Sequence, residues 1–180
     1  MKKLIWLGIA FAAGVLLAAS ALVWHGVGTQ HGPALLETRV ARAVRHISIP
    51  KDIRAARNPV PLTSVVLEEG RAHWADHCAI CHANDGSGNT EIGRNLYPRS
   101  PDMRQRDTQE LSDGELFAII RDGVRLTGMP GWHGADADNW KLVHFIRYLP
   151  KLTPEEIHLM EKLNPKSAEE REEDEFLRAH

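Results

Sequence analysis

The pentapeptide Cys78-Ala79-Ile80-Cys81-His82 contains both cysteines of this chain of 180 residues. Two thiols are too few for a framework of several disulfides, for a four-cysteine zinc site or for an iron–sulfur cluster held by four thiolates. The length allows one compact domain with attached segments. The net charge of −2 provides no basic excess with which to neutralise a phosphate backbone, so we predict no nucleic-acid partner.

The C-x-x-C-H spacing is typical of covalent haem attachment, in which two thiols bond to one edge of the porphyrin and the histidine binds the iron. A thiol redox pair would begin a helix after a strand, but no strand pattern precedes it. A zinc site would need a second ligand pair at finger spacing, and a structural disulfide would leave His82 without a role. These alternatives remain open, but the sequence favours one haem on Cys78 and Cys81 with His82 as an axial ligand.

A second axial ligand is predicted in the loop Thr127-Gly128-Met129-Pro130-Gly131. Pro130 favours an extended backbone at Met129, and the flanking glycines remove side-chain bulk that would keep a flat macrocycle away from the chain. We therefore predict that the Met129 thioether binds the iron opposite His82. His133, four residues further on, is the rival ligand.

The remaining pattern is helical. Ser112 and Glu115 form a predicted capping box, and Gly123 is placed to end the same helix in the left-handed conformation. Residues 83–101 are rich in Gly, Asn, Ser and Pro and are predicted to be loop. We predict an all-α fold, with helices over Thr63–His77, Ser112–Gly123, Trp140–Leu149 and from Thr153 onward.

Together with the two ligand motifs, the loop Asn84-Asp-Gly-Ser-Gly88, the segment Leu96-Tyr-Pro-Arg99 and the helix Trp140–Pro150 resemble a single-haem, class I type cytochrome c domain over residues 62–163. The resemblance implies that the first and last helices cross near the haem. Our candidates for that crossing are Gly70, Trp74, Phe145 and Tyr148.

The resemblance also implies a loop carbonyl that accepts a hydrogen bond from the proximal imidazole, supplied at Pro98 or just before it. Tyr97, Arg99 and Trp132 stand in loops that would face the haem, and we predict them as candidate partners of the haem propionates. An electron carrier of this kind has no catalytic residues of its own.

The N-terminal segment 1–25 is predicted to be a single-pass anchor in a lipid bilayer. From Leu4 to Trp24 no charge occurs, and 21 helical residues at about 1.5 Å each span the roughly 30 Å of a hydrocarbon core. A signal peptide cleaved after Ala19-Ser20-Ala21 is the alternative, but the apolar run exceeds its usual length and continues past that site.

Residues 26–61 are predicted to form a basic stalk and a proline linker, and residues 164–180 an acidic, disordered tail. In the stalk, Leu36, Val40, Val44 and Ile47 recur at the spacing of one helical face. This basic amphipathic helix could lie on anionic lipid headgroups or could pack on the domain that follows it.

These features predict a membrane-tethered electron carrier that exchanges single electrons with redox protein partners, on the periplasmic or outer face of a bacterial cytoplasmic membrane, where covalent haem attachment takes place. Two alternatives remain. In one, Met129 dissociates and the protein acts as a haem enzyme or gas sensor. In the other, the chain is the haem-bearing subunit of a larger oxidoreductase.

Overall fold

A computed structural model of the chain describes residues 2–25, 28–29, 31–166 and 176. Within these residues the regular structure is helical and contains no strand, which confirms the all-α prediction. The chain divides into two compact units, one within residues 1–31 and one within residues 32–180. Most of the predicted tail, residues 167–175 and 177–180, lies outside the described residues.

Among the described residues of the first unit, the helix is α1 (Lys2–His25). Its residues 2–21 have a mean hydropathy of 2.2, and none of them is buried in the protein. By length and composition this helix could cross a bilayer, in agreement with the predicted anchor. The tripeptide of the signal-peptide alternative, Ala19-Ser20-Ala21, lies inside the helix.

The second unit packs helices around one core. A π-helical turn, Trp74–Cys78, joins α4 to α5 without a break, and a 3₁₀ turn, Leu149–Lys151, follows α9. The described helices of this unit are α2 (Leu35–Ser48), α3 (Lys51–Ala55), α4 (Ser64–His73), α5 (Ala79–His82), α6 (Glu91–Asn95), α7 (Arg106–Gln109), α8 (Asp113–Asp122), α9 (Asp136–Tyr148) and α10 (Pro154–Glu161).

Side-chain caps begin several of these helices, as the sequence predicts. The capping boxes Ser112/Glu115 at α8 and Thr153/Glu156 at α10 both form. Gly123 ends α8 with φ +69° and ψ −170°, so its φ is positive as predicted, but its conformation is not the left-handed helical one. Two boundaries were predicted wrongly, because the helix of α4 continues through the π turn and α5 to His82 and α9 begins at Asp136. The segment predicted to be loop also contains a helix, α6.

The crossing of α4 and α9 forms the centre of the core. A Cβ atom on Gly70 would lie 2.6 Å from the carbonyl oxygen of Lys141 and 3.2 Å from Cβ of Phe145, so the two backbones approach closely only because Gly70 has no side chain. The rings of Trp74 and Phe145 are 5.7 Å apart. Tyr148 packs at the edge of this cluster and donates a hydrogen bond to Glu156. The predicted crossing is confirmed.

The stalk packs on the domain. α3 lies against α8, and Ile53 and Ala56 contact the core from the segment that the sequence assigned to the stalk. Ile49, just after α2, is buried. An ion pair joins Arg42 on α2 to Asp107. The compact unit therefore includes residues well upstream of residue 62, where the sequence placed the start of the domain.

Candidate functional site

The Cys-x-x-Cys-His motif lies at the C-terminal end of the long helix made by α4, the π turn and α5. Cys78 is the last residue of the π turn, and Cys81 and His82 belong to α5. Hydrogen bonds in a π turn join residues five apart rather than four apart, so the turn contains one residue more than a turn of an α-helix. Such turns are frequent at functional sites. The motif is therefore rotated relative to the face of α4 that carries Gly70.

The two thiols are not joined in a disulfide. Burial raises the pKa of the Cys78 thiol to about 12, and the nearby Cys81 adds to this effect. Burial also raises the pKa of Cys81. A catalytic dithiol needs the opposite, a thiol whose pKa is lowered by a helix N-terminus or a neighbouring cation. The pair therefore does not fit thiol redox catalysis, and it does not form the structural bridge.

The imidazole of His82 is electrically neutral. Burial lowers its pKa to about 4, although the backbone carbonyl of Pro101 is close enough to favour the protonated ring in part. Nδ1 is buried and has no hydrogen-bond partner of normal geometry. Neutral imidazole is the form that binds metals. The sequence predicted a carbonyl at or before Pro98 on this side, and the structure places Pro101 there instead.

The residues around His82 are held by hydrogen bonds that the motif alone does not predict. Trp74 donates from Nε1 to the carbonyl of Ala83 at 3.0 Å, and the Trp74 and His82 rings are 5.7 Å apart. The carbonyl of His82 accepts from the backbone of Gly88 at 2.8 Å. The hydroxyl of Thr90 donates to the carbonyl of Cys81 and accepts from Gly93, which caps α6.

The Met129 loop is fixed to the end of α8. The backbone carbonyl of Met129 accepts from Val124 at 3.1 Å, and its amide donates to the hydroxyl of Thr127 at 3.1 Å. A Cβ atom on Gly123 would lie 2.8 Å from the same Met129 carbonyl, so the turn also depends on a glycine there. Both backbone groups of Met129 are satisfied within the loop, so the loop has a defined conformation around this residue.

The predicted propionate partners have other contacts. The hydroxyl of Tyr97 donates to the carboxylate of Glu37 on α2, at 2.7 Å. Trp132 is half-buried, and its ring is 5.0 Å from that of His77. Arg99 and His133 are exposed. Gly128 lies against the side chain of Leu96, so the Met129 loop is next to the segment that contains Tyr97 and Arg99.

The donor set fits a haem bound through two thioethers. The thiols of Cys78 and Cys81 are unbridged and the neutral His82 imidazole is a nitrogen donor, while Met129 offers a soft sulfur donor. A simple metal site fits less well. Among the described residues, no group of three or more His, Cys, Asp or Glu is arranged to hold a metal ion.

Comparison with known families agrees with this chemistry. Residues 66–146 match the family model described as "Cytochrome C oxidase, cbb3-type, subunit III", a cytochrome c family. The matched range spans the motif, the Met129 loop, α8 and most of α9, so this part of the chain is similar to a cytochrome c domain. Such a domain indicates a haem protein that transfers electrons and is located outside the cytoplasm. No curated protein matches the chain.

Proposed function

We propose that the chain is a membrane-tethered c-type cytochrome that transfers single electrons between redox protein partners. Cys78 and Cys81 would hold one haem covalently, and His82 and Met129 would bind its iron. The observation that carries this proposal is the neutral His82 ring directly after two unbridged, protonated thiols. Each thiol would add across one vinyl group of the haem, so that its sulfur and its hydrogen would both be retained in the product.

When bound, the haem supplies a one-electron couple at its iron. The chain would contribute both iron donors, His82 and Met129. The backbone carbonyl of His82 accepts a hydrogen bond from Gly88, and the Met129 loop is held at Val124 and Thr127. If His82 and Met129 both bind the iron, it would have no open site for substrate, and the protein would act as an electron carrier rather than as a haem enzyme or gas sensor.

The test compares two methionines. In holoprotein produced with a haem-attachment system, we expect the oxidised spectrum to show the sulfur-to-iron charge-transfer band. Met129→Leu keeps the size of the side chain but removes the sulfur, so the band should disappear. Met103→Leu, made at a methionine that packs beside the core, should retain it. A band that survives in Met129→Leu, or a high-spin five-coordinate spectrum in the unchanged protein, would overturn the assignment.

The anchor and the orientation belong to the same proposal. α1 would cross the cytoplasmic membrane once, with residues 4–24 in the bilayer and Met1 in the cytoplasm. The cytochrome domain would then lie on the periplasmic or outer face, since haem is attached to proteins there. A protease added to intact spheroplasts should digest the domain, and its protection until the cells are lysed would contradict this orientation.

A second candidate role is that of a haem-bearing subunit in a larger oxidase, and the description of the matched family favours it. Mild detergent extraction of native membranes distinguishes the two roles. A subunit stays in a large assembly with a second haem spectrum, whereas a free carrier migrates as the single chain.

A further inference from the structure

Helix α2 packs on the cytochrome domain through its charged side. Glu37 accepts a hydrogen bond from Tyr97, and Arg42 forms an ion pair with Asp107, each at 2.7 Å. His46 contacts Glu115 at 2.7 Å. Burial, and after it the charge of Arg42, lowers the pKa of the Arg45 guanidinium, which agrees with its position on the side that faces the domain.

The apolar side of α2 faces away from the domain. Leu36, Val40, Val44 and Ile47 are 73%, 53%, 60% and 77% exposed. At 100° per residue these four side chains fall within a quarter of the helix circumference, about opposite Arg42, Arg45 and Ile49. No residue that the structure describes covers them enough to bury them. We call these four residues the outer face of α2.

An outward apolar face on a surface helix is the reverse of the usual arrangement, in which the apolar stripe packs on the core. A contiguous set of exposed aliphatic side chains marks a surface that contacts something apolar. The possible occupants are the lipid bilayer, a second copy of this chain and another protein. Two observations favour the bilayer.

The first observation is the length of the tether. Nine residues separate the end of α1 at His25 from the start of α2 at Leu35. At a maximum of about 3.6 Å per step, the ten steps from His25 to Leu35 cannot span more than about 36 Å. If α1 crosses the bilayer, as proposed above, α2 is always within that reach of the membrane surface.

The second observation is charge. Residues 32–57 contain six Lys or Arg and two Asp or Glu, a net charge of +4, whereas residues 58–180 contain 14 and 22, a net charge of −8. Arg39 is exposed beside the outer face. Anionic headgroups complement this local excess, whereas a second copy with α2 against α2 would bring like charges together. Basic amphipathic helices with aliphatic faces lie in the interface of anionic bilayers.

We propose that the outer face of α2 lies in the boundary between headgroups and acyl chains of the membrane that α1 anchors. Because the charged side chains of α2 are bonded to Tyr97, Asp107 and Glu115, this contact fixes how the cytochrome domain faces the bilayer. The Tyr97 segment next to the Met129 loop is thereby held on the membrane side of the domain.

The test uses photo-crosslinking, which requires no added thiol. Full-length holoprotein carries p-benzoylphenylalanine at Val40 or at Val44 and is reconstituted in vesicles of phosphatidylcholine with phosphatidylglycerol. The matched control is the same probe at Leu159 on α10, which is exposed to the same 53% as Val40. After irradiation, mass spectrometry identifies lipid adducts, and gels identify protein crosslinks.

We expect lipid adducts at Val40 and Val44 in a yield several-fold above that at Leu159. Placing Val44→Glu in the chain with the probe at Val40 should return the yield to the control level. Yields equal to Leu159, a crosslinked dimer of this chain, or a crosslink to another protein in native membranes would each overturn the proposal. Haem absorption and vesicle flotation, measured on the same samples, report separately on the cofactor and on the α1 anchor.

Discussion

Replacing Gly70 with alanine tests the helix crossing on which the position of the site depends. The added methyl group would lie 2.6 Å from the carbonyl oxygen of Lys141 and 3.2 Å from Cβ of Phe145, whereas ordinary contacts begin at 3.4 Å. Both neighbours are atoms of the α9 backbone or directly attached to it, so neither can move by a rotamer change. α4 and α9 must therefore separate by several tenths of an ångström.

The expected change in the free energy of unfolding follows from two opposing effects. Alanine in a helix interior is favoured over glycine by about 1 kcal/mol. Overpacking a close contact costs about 1–3 kcal/mol, and a clash against backbone belongs at the upper end of this range. We therefore expect Gly70→Ala to lower the free energy of unfolding by about 2 kcal/mol in total.

Urea unfolding of the full-length holoprotein in detergent measures this difference. With a slope of about 1–3 kcal/mol per molar urea, the midpoint should fall by about 1 M while the slope stays unchanged. The control is Gly134→Ala, because a Cβ at Gly134 meets no atom within 4 Å. We expect its midpoint to remain close to that of the unchanged protein. A Gly70→Ala midpoint equal to or above that of the control would refute the close approach of α4 and α9.

Two further substitutions test the stalk and the loop after the motif. Gly114→Ala would place a methyl group on the carbonyl oxygen of Ile53, so we expect a loss of about 2 kcal/mol and faster amide exchange in α3; unchanged exchange there would show that α3 does not pack on α8. Hydrogen bonds from Arg104 lower the pKa of Asp102 from 3.8 to about 2, so this carboxylate stabilises the fold above about pH 4, and that contribution is lost as the pH falls toward 2. Because the side chains of Arg104 and Asp102 are partly exposed to solvent, Asp102→Asn should cost at most about 1 kcal/mol at neutral pH and should flatten the stability profile between pH 4 and 2; parallel acid profiles for the two proteins would contradict this.

Elements defined by neighbouring residues could be predicted from the sequence. The α8 capping box depends on Ser112 and Glu115, three positions apart, and it forms as expected. The start of α9 could not be found in this way. Its N-cap, Ala135, makes no side-chain hydrogen bond, and its first turn contains Asp136 and Asp138 rather than apolar residues. The apolar periodicity therefore begins one turn after the helix does.

The carbonyl near His82 shows why loop geometry was harder to predict. The loop after the motif is shaped by hydrogen bonds between distant residues, from Ser100 to Gly93 and from Met103 to Gly86. Those pairings bring Pro101, rather than Pro98, toward the ring. Proline positions in the sequence identify a turn, but they do not determine which carbonyl the folded loop presents.

The side of α2 that packs on the domain was also hard to predict, because it too depends on residues far along the chain. Its periodicity correctly predicted an amphipathic helix, but the side that packs is selected by partners far along the chain, such as Asp107 for Arg42 and Glu115 for His46. A pattern of apolar residues shows that a helix has two sides. It does not show which of them meets the domain when charged partners are supplied from elsewhere.

The π turn at Trp74–Cys78 changes the directions in which side chains point along one continuous helix. Each extra residue rotates the following residues by about 100° about the helix axis. The segment before the turn places Gly70 at the crossing with α9, and the segment after it places the thiols and the imidazole. Loss of a single residue between Gly70 and Cys78 would keep every side chain of both ends but would turn the thiols and the imidazole away from their present direction. The direction of the site relative to the core therefore depends on the number of residues between Gly70 and His82. We expect an insertion or deletion there to be more damaging than most substitutions.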